Sequence, residues 1–239
     1  MQSLEGQAEG NAQEALLMSV AEQLKQPLLY IARSSELSLM EDKLNRDLVR
    51  SFEAQATSAL RLLDSYVLGM GLDGQTQLEL ESVGLGALLS DVAHELSPLA
   101  RQYDVDIELA LDGKYGPVMT HSAGLRAALH SLGSVIIGLP TSQRGAIVRL
   151  SAHRSNGGIV TGLYHSSMER LPRSKSLLDE VGRFERRQPL SEIGGGSAAG
   201  VFVAQRLFRS MDTSLQMRKH KGLHGFAAEL RSSPQLSLL

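Results

Sequence analysis

Two groups of residues in this 239-residue chain are suited to chemistry, its histidines and a glycine cluster. His220 and His224 have the spacing of a zinc-ligand pair, but no further ligands are found near them, so a solvated turn is the favoured interpretation. Three glycines at 194–196 directly precede a predicted helix. Backbone N–H groups at a helix start can bind phosphate, although glycines there are equally typical of a flexible hinge. The seven histidines are at positions 94, 121, 130, 153, 165, 220 and 224.

The composition is that of an ordinary globular protein and excludes several classes of function. Hydrophobic residues make up 42%, charged residues 21% and aromatic residues 4%, with a net charge of −2, so neither nucleic acid nor an anionic membrane is an expected partner. The absence of cysteine excludes disulfides and thiolate metal sites. No apolar run approaches the roughly 20 residues that span a bilayer. We therefore expect a cytoplasmic protein without membrane insertion, or a cytoplasmic piece of a longer protein.

The N-terminal part of the chain is predicted to be a helical hairpin. After a polar segment, 1–11, apolar residues recur with heptad spacing, and a second amphipathic helix runs from about Leu44 to Met70. One hairpin cannot bury two apolar stripes of this width. Two copies forming a four-helix bundle can do so, and packing against the rest of the same chain is the alternative. The expected dimer interface contains Leu17, Val20, Leu24, Ile31, Leu48, Phe52 and Leu63.

Glycines at 69–74 end the second helix and separate the hairpin domain, 12–72, from a second domain, 73–231, with 232–239 as a tail. Alternating apolar residues in the second domain predict strands, and helical spacing predicts three helices, the middle one capped by Ser122. The fold class is therefore α+β, a helical hairpin followed by a two-layer α/β sandwich. The predicted strands are 78–81, 104–111, 118–120, 146–154, 158–164, 215–219 and 225–230, and the helices 85–103, 122–139 and 198–211.

The stretch Ala21-Glu22-Gln23-Leu24-Lys25-Gln26-Pro27-Leu28 resembles the phosphoacceptor box of bacterial sensor histidine kinases. The order of predicted elements over 12–231 resembles the core of these kinases. The resemblance implies a dimerisation and phosphotransfer hairpin, followed by a sandwich of the type shared by gyrase, Hsp90 and histidine kinases. Glu22 stands where the family has its phosphate-carrying histidine, and none of the seven histidines lies in the hairpin.

The ATP-binding boxes implied by this resemblance are altered as well. The two asparagine positions that hold Mg²⁺ and phosphate fall on Ser131 and Val135, and valine cannot ligate a hard cation. The position of the adenine-reading aspartate falls on His165. The glycine-rich box keeps Gly196 and Gly200, with alanines between them. The resemblance therefore implies a degenerate, pseudokinase-like core that holds neither metal nor cofactor.

We predict from these losses a homodimer that lacks kinase activity and acts by binding in two-component signalling. Its partner would be the receiver domain of a response regulator, or a histidine kinase. Two alternatives remain open: a phosphotransferase or phosphatase that uses atypical residues, and a small-molecule sensor that uses the vacated ATP pocket. The expected docking residues are Glu22, Gln23, Lys25, Gln26 and Pro27.

Overall fold

The computed structural model describes residues 20–21, 24–25, 27–40, 46–71, 77–114, 116–139, 145–166, 168 and 197–234. Helix α1 comprises the helical residues within 20–40 and is continuous over 27–40. The other helices are α2 (Arg46–Gly71), α3 (Leu85–Gln102), α4 (Ser122–Ile137) and α5 (Ser197–Ser210). No helix in the described part of the chain is long and apolar enough to cross a membrane. The strands are β1 (Glu81–Val83), β2 (Val105–Asp112), β3 (Val118–Thr120), β4 (Ala146–Arg154), β5 (Ile159–His165), β6 (Gln216–His220) and β7 (Leu223–Leu230).

Five strands form a mixed sheet in the order β2-β4-β5-β7-β6, and β1 pairs with β3 in a separate antiparallel ribbon. The β2–β4 pair is parallel and the remaining pairs are antiparallel. Alternate residues of β5, such as Ile159 and Leu163, belong to the same buried cluster as α3, α4 and α5, so the helices form the second layer. The predicted α+β class is confirmed.

The helical hairpin shares this hydrophobic core. Leu62 and Tyr66 of α2 and Val20 of α1 belong to the same buried cluster as the sandwich helices. Gly69 permits the close approach, because a Cβ atom there would lie 2.7 Å from Cγ1 of Val203 on α5. The α2 helix is thus packed along one side against the rest of its own chain, which is the alternative that the sequence left open.

The other side of the hairpin leaves an apolar stripe uncovered. Val49, Leu60, Leu63 and Val67 are exposed and lie on one face of α2, since their spacing of eleven, three and four residues follows the helical repeat. We call these four residues the α2 stripe.

The second face of the sheet is partly covered by the turn between β6 and β7. The ring of His220 stacks on that of His153 with centroids 4.0 Å apart, and its Nε2 lies 3.1 Å from Oδ2 of Asp112. Lys221 Nζ donates to Oδ1 of the same carboxylate at 2.6 Å. The expectation of a solvated turn is therefore wrong at His220. Among the described residues, no group of three or more His, Cys, Asp or Glu side chains can hold a metal ion.

The predicted strand at 78–81 is wrong in position. Only Glu81–Val83 pairs, whereas residues 77–80 have no partner strand. Leu78 and Leu80 do pack against the core. The alternation of apolar and polar residues at 78–81 arises because one side of an extended segment is buried. Such a segment need not pair with another strand.

The start of α4 is capped by His121 and not by Ser122. The Nδ1 atom of His121 accepts a hydrogen bond from the backbone N–H of Gly124 at 3.0 Å. An imidazole nitrogen can serve as the N-cap acceptor that the sequence pattern assigned to a hydroxyl.

The predicted tail begins too early. Ser232 forms an antiparallel bridge with Val118, and the N–H of Ser233 donates to the carbonyl of Pro117 at 2.8 Å. The chain therefore remains part of the fold through 234, while 235–239 lie outside the described residues.

Candidate functional site

The two positions that the sequence resemblance assigned to the metal-binding asparagines lie inside the protein. Ser131 and Val135 are buried, and the Ser131 hydroxyl donates a hydrogen bond to the carbonyl oxygen of Gly200 at 3.0 Å. Gly200 lies in the first turn of α5, so this bond joins α4 directly to α5. The serine hydroxyl thus already has a partner in the protein, and Val135 contributes an apolar surface to the core.

His165, which the sequence resemblance placed at the position of the adenine-reading aspartate, is fully buried at the end of β5. Burial lowers the pKa of its imidazole, so the ring is neutral at physiological pH. A neutral imidazole cannot provide the charged acceptor that a carboxylate offers to an amino group. Gly196, the remaining predicted pocket position, lies outside the described residues.

The predicted docking residues are described only in part. Lys25 is exposed on α1, whereas Pro27 is buried and has no surface to offer a partner. The inclusion of Pro27 among the exposed docking residues does not agree with this burial. Glu22, Gln23 and Gln26 lie outside the described residues.

The predicted dimer residues lie on more than one face of the hairpin. Val20 is buried in the core of its own chain, and Leu24 packs against that core. Leu63 belongs to the exposed α2 stripe. Heptad spacing identified an apolar face, but this face is covered partly by the sandwich of the same chain. Ile31, Leu48 and Phe52 are half-buried, and Leu17 lies outside the described residues.

A cleft between α2, α3 and α4 was not anticipated from the sequence. It has a volume of about 460 Å³. Arg61 and Leu68 of α2, Glu95 of α3, and Arg126 and His130 of α4 contribute to its lining. We call it the interhelix cleft. It joins the hairpin to the sandwich, away from the α4–α5 contact.

Glu95 is the centre of an ion network in this cleft. Its Oε1 accepts from Nη1 of Arg126 at 2.8 Å and lies 3.4 Å from Nη2 of Arg61. Arg126 also donates to Asp91 at 2.9 Å. Because the Glu95 side chain is only 11% exposed, its charge is partly desolvated, and removal of its partners would leave a largely buried unpaired charge.

His130 forms part of the cleft wall and is only 2% exposed. Burial, with a smaller contribution from the charge of Arg61, lowers its pKa to about 4, so the ring is neutral at physiological pH. Neither ring nitrogen has a hydrogen-bond partner among the described residues, and the same holds for Oε2 of Glu95. A buried polar group without a partner costs about 1–3 kcal/mol.

No local sequence pattern indicates the interhelix cleft. His130 fits the helical spacing of α4 like any other core position. The contact between Glu95 and Arg126 joins residues 31 positions apart, and Arg61 comes from the hairpin. Only the packing of three helices brings these side chains together.

Comparison with known proteins finds this fold among solved structures. No protein-family model matches the sequence, and no curated protein matches it. The chain is 13% identical to a bacterial phosphotransferase, whose structure superposes with a TM-score of 0.54 over 91% of this chain and 95% of that one. This match therefore includes both the hairpin region and the sandwich.

Two histidine kinase structures are similar as well. Full-length ShkA in complex with AMPPNP is 15% identical with a TM-score of 0.53, over 97% of this chain and 46% of ShkA. The catalytic domain of ThkA is 12% identical with a TM-score of 0.51, over 66% of this chain and 99% of that domain. At these identities the likeness establishes the fold. The sandwich has the histidine kinase ATPase fold, as the sequence resemblance implied.

The buried His130 predicts a pH dependence of stability. Its pKa is about 4 in the folded protein against 6.5 for the unperturbed group, so the unfolded chain binds more protons between these values. The free energy of unfolding should therefore rise with pH through this window and level off above it. Roughly 2 kcal/mol should be lost on going from about pH 7 to about pH 5.

Denaturant titrations of the parent and of His130→Leu at both pH values measure this contribution. His130→Leu should lose about 2 kcal/mol less than the parent over the same pH change. His94→Leu, which removes an exposed histidine from α3, is the control and should behave like the parent. An equal loss in the parent and in His130→Leu would contradict the assignment.

Proposed function

We propose that this chain is a histidine-kinase-like protein of two-component signalling that acts by binding and not by kinase chemistry. One observation carries the proposal, namely that Ser131 and Val135 are buried against α5. Mg²⁺ requires near-ideal octahedral oxygen coordination, and valine has no ligand atom to offer. The Ser131 hydroxyl is engaged by the Gly200 carbonyl. A Mg·ATP complex at these positions would require α4 and α5 to separate.

The sequence of the hairpin supports the same proposal. Glu22 occupies the phosphoacceptor position, and a carboxylate has no nitrogen with which to form a phosphoramidate. Its single negative charge imitates only part of the charge of a phosphoryl group, which is about −1.5 to −2. We therefore assign Glu22, Gln23, Lys25 and Gln26 to a docking surface for a receiver domain or a histidine kinase.

The α2 stripe supports a homodimer through the hairpin. A second copy is the occupant we propose, because a two-fold axis brings the same apolar face of both copies together. Each large aliphatic side chain that becomes fully buried contributes about 1.5–3 kcal/mol. In this dimer, one side of α2 contacts its own sandwich and the other side contacts the partner copy, which gives a four-helix bundle.

Two adjacent substitutions on α2 separate dimerisation from folding. Leu60 is 61% exposed and Leu62 is 5% exposed. Leu60→Asp should give a folded monomer, because the new charge is buried only in the dimer. Leu62→Asp should unfold the chain, because it places an unpaired charge in the core.

Light scattering and circular dichroism measure the two outcomes. The parent should have twice the monomer mass of 25.8 kDa, and Leu60→Asp should have that mass with an unchanged helical spectrum. A parent that is monomeric at micromolar concentration removes the dimer from the proposal.

The docking assignment predicts a specific loss of partner affinity. Glu22→Ala should weaken binding of the host's cognate receiver domain by about tenfold, because a charged contact at the centre of a docking surface is lost. The matched control is Glu36→Ala, which removes the same charge from an exposed position of α1. Calorimetry with purified receiver domains measures both affinities. If Glu22→Ala binds every receiver as tightly as the parent, Glu22 has no docking role.

A phosphotransferase is the second candidate, and the structural match to a bacterial phosphotransferase over 91% of the chain favours it. This function needs a phosphoacceptor other than a hairpin histidine, since residues 12–72 contain none. Incubation with a receiver domain carrying labelled phosphate separates the candidates. Label that appears on this chain supports the transferase, and label that stays on the receiver supports docking alone.

A further inference from the structure

The interhelix cleft is separate from the positions of the nucleotide boxes. His130 and Ser131 are neighbours on α4, so their side chains point about 100° apart around the helix axis. Ser131 faces α5, whereas His130 lines the cleft with Arg61 of α2. The cleft volume of about 460 Å³ lies within the roughly 300–1,000 Å³ of small-molecule sites.

The hydrogen-bonding capacity left open in the cleft consists mainly of acceptors. Glu95 Oε2 is an acceptor without a partner among the described residues, and neutral His130 has one acceptor nitrogen and one donor. Formal charges along the lining also favour a cation. Two arginines face three carboxylates there, Asp64, Glu81 and Glu95, which leaves a net charge of 2 − 3 = −1.

Arg61 is the weakest member of the ion network. Its Nη2 lies 3.4 Å from Glu95, beyond the 2.7–3.2 Å of a good N–H···O bond. Its side chain is 40% exposed, so it can turn outward into water. The charge of Arg61 also contributes to the lowered pKa of His130. Arg61 therefore acts on both Glu95 and His130, the two residues that have acceptor atoms without a partner among the described residues.

We propose that the interhelix cleft binds a small planar organic monocation with N–H donors, an amidine or a guanidine, which takes the place of Arg61 beside Glu95. The flat fork of such a group matches a carboxylate, and one donor can reach the open Oε2. The walls formed by Leu68, Ala123 and Ala127 accommodate the apolar part of the molecule. The site is formed by α2, α3 and α4 together with Glu81 of β1 and His121 before α4, and it does not depend on the proposed docking function.

Benzamidine is a suitable probe, with benzamide and benzoate as neutral and anionic analogues of nearly the same shape. Titration of the full chain is followed by calorimetry and by the NMR signals of the His130 ring. We expect saturable one-to-one binding of benzamidine that shifts these signals. Benzamide should bind at least about tenfold more weakly, and benzoate should not bind.

Matched variants locate the site. Glu95→Gln should weaken benzamidine binding by at least about tenfold, whereas Asp64→Asn removes the same charge from the exposed rim and should change it by less than about threefold. Arg61→Ala removes the competing guanidinium and should tighten binding. Arg50→Ala removes an equal charge outside the cleft and should leave the affinity unchanged.

Several results overturn the proposal. These are the absence of saturable binding to the parent, equal effects of Glu95→Gln and Asp64→Asn, or equal effects of Arg61→Ala and Arg50→Ala. Glu95→Gln could fail to fold because it disrupts the ion network. In that case the comparison of Arg61→Ala with Arg50→Ala still tests whether the probe binds in the cleft. Receiver docking and dimerisation are measured separately, so failure here leaves the proposed function unaffected.

Discussion

The Ser131 hydroxyl donates to the carbonyl of Gly200, and around this bond α4 and α5 form the centre of the hydrophobic core. Val135 lies one turn further along α4, and Val201 and Ala204 of α5 are buried in the same cluster. Any ligand at the positions of the asparagine box would have to separate these side chains and leave a buried carbonyl without its donor. The cost of an unpaired buried acceptor adds to the lost apolar contact. The chain therefore has the histidine kinase ATPase fold with α4 and α5 packed against each other, and we propose that this packing occupies the place of a nucleotide.

The same core determines what the hairpin can do. Leu62 and Tyr66 attach α2 to the sandwich, and Gly69 lets the helix approach α5. The hairpin side that remains free carries the α2 stripe, and α1 adds exposed Leu28 and Leu39. A hairpin held on one side and apolar on the other is suited to association with a second chain. This arrangement supports the proposal that the protein works by binding.

Much of the sandwich could be predicted from the sequence, because its signals are local. Alternation along β4 gave the observed bounds of that strand, and the strand after the turn at Asn156-Gly157-Gly158 begins and ends one residue later than predicted. The spacing of Ser131 and Val135 placed both on one face of α4. The partner of an apolar face was not predictable in the same way. Heptad spacing in the hairpin shows which residues are apolar, but it does not distinguish a partner copy from the chain's own sandwich. The interhelix cleft could not be predicted at all, because Arg61, Glu95 and His130 come from three helices that only tertiary packing brings together.

We propose that the α4–α5 contact leaves no nucleotide site, which calorimetric titration of the full chain with Mg·ATP can test. We expect no saturable heat at physiological ATP concentration, and no difference when magnesium is removed with a chelator. The proposed loss of the metal ligands and of the adenine-reading carboxylate should together cost several kcal/mol, which corresponds to several decades of affinity. Saturable, magnesium-dependent binding in the micromolar range would contradict the account, because it would require α4 and α5 to open where the structure shows them joined.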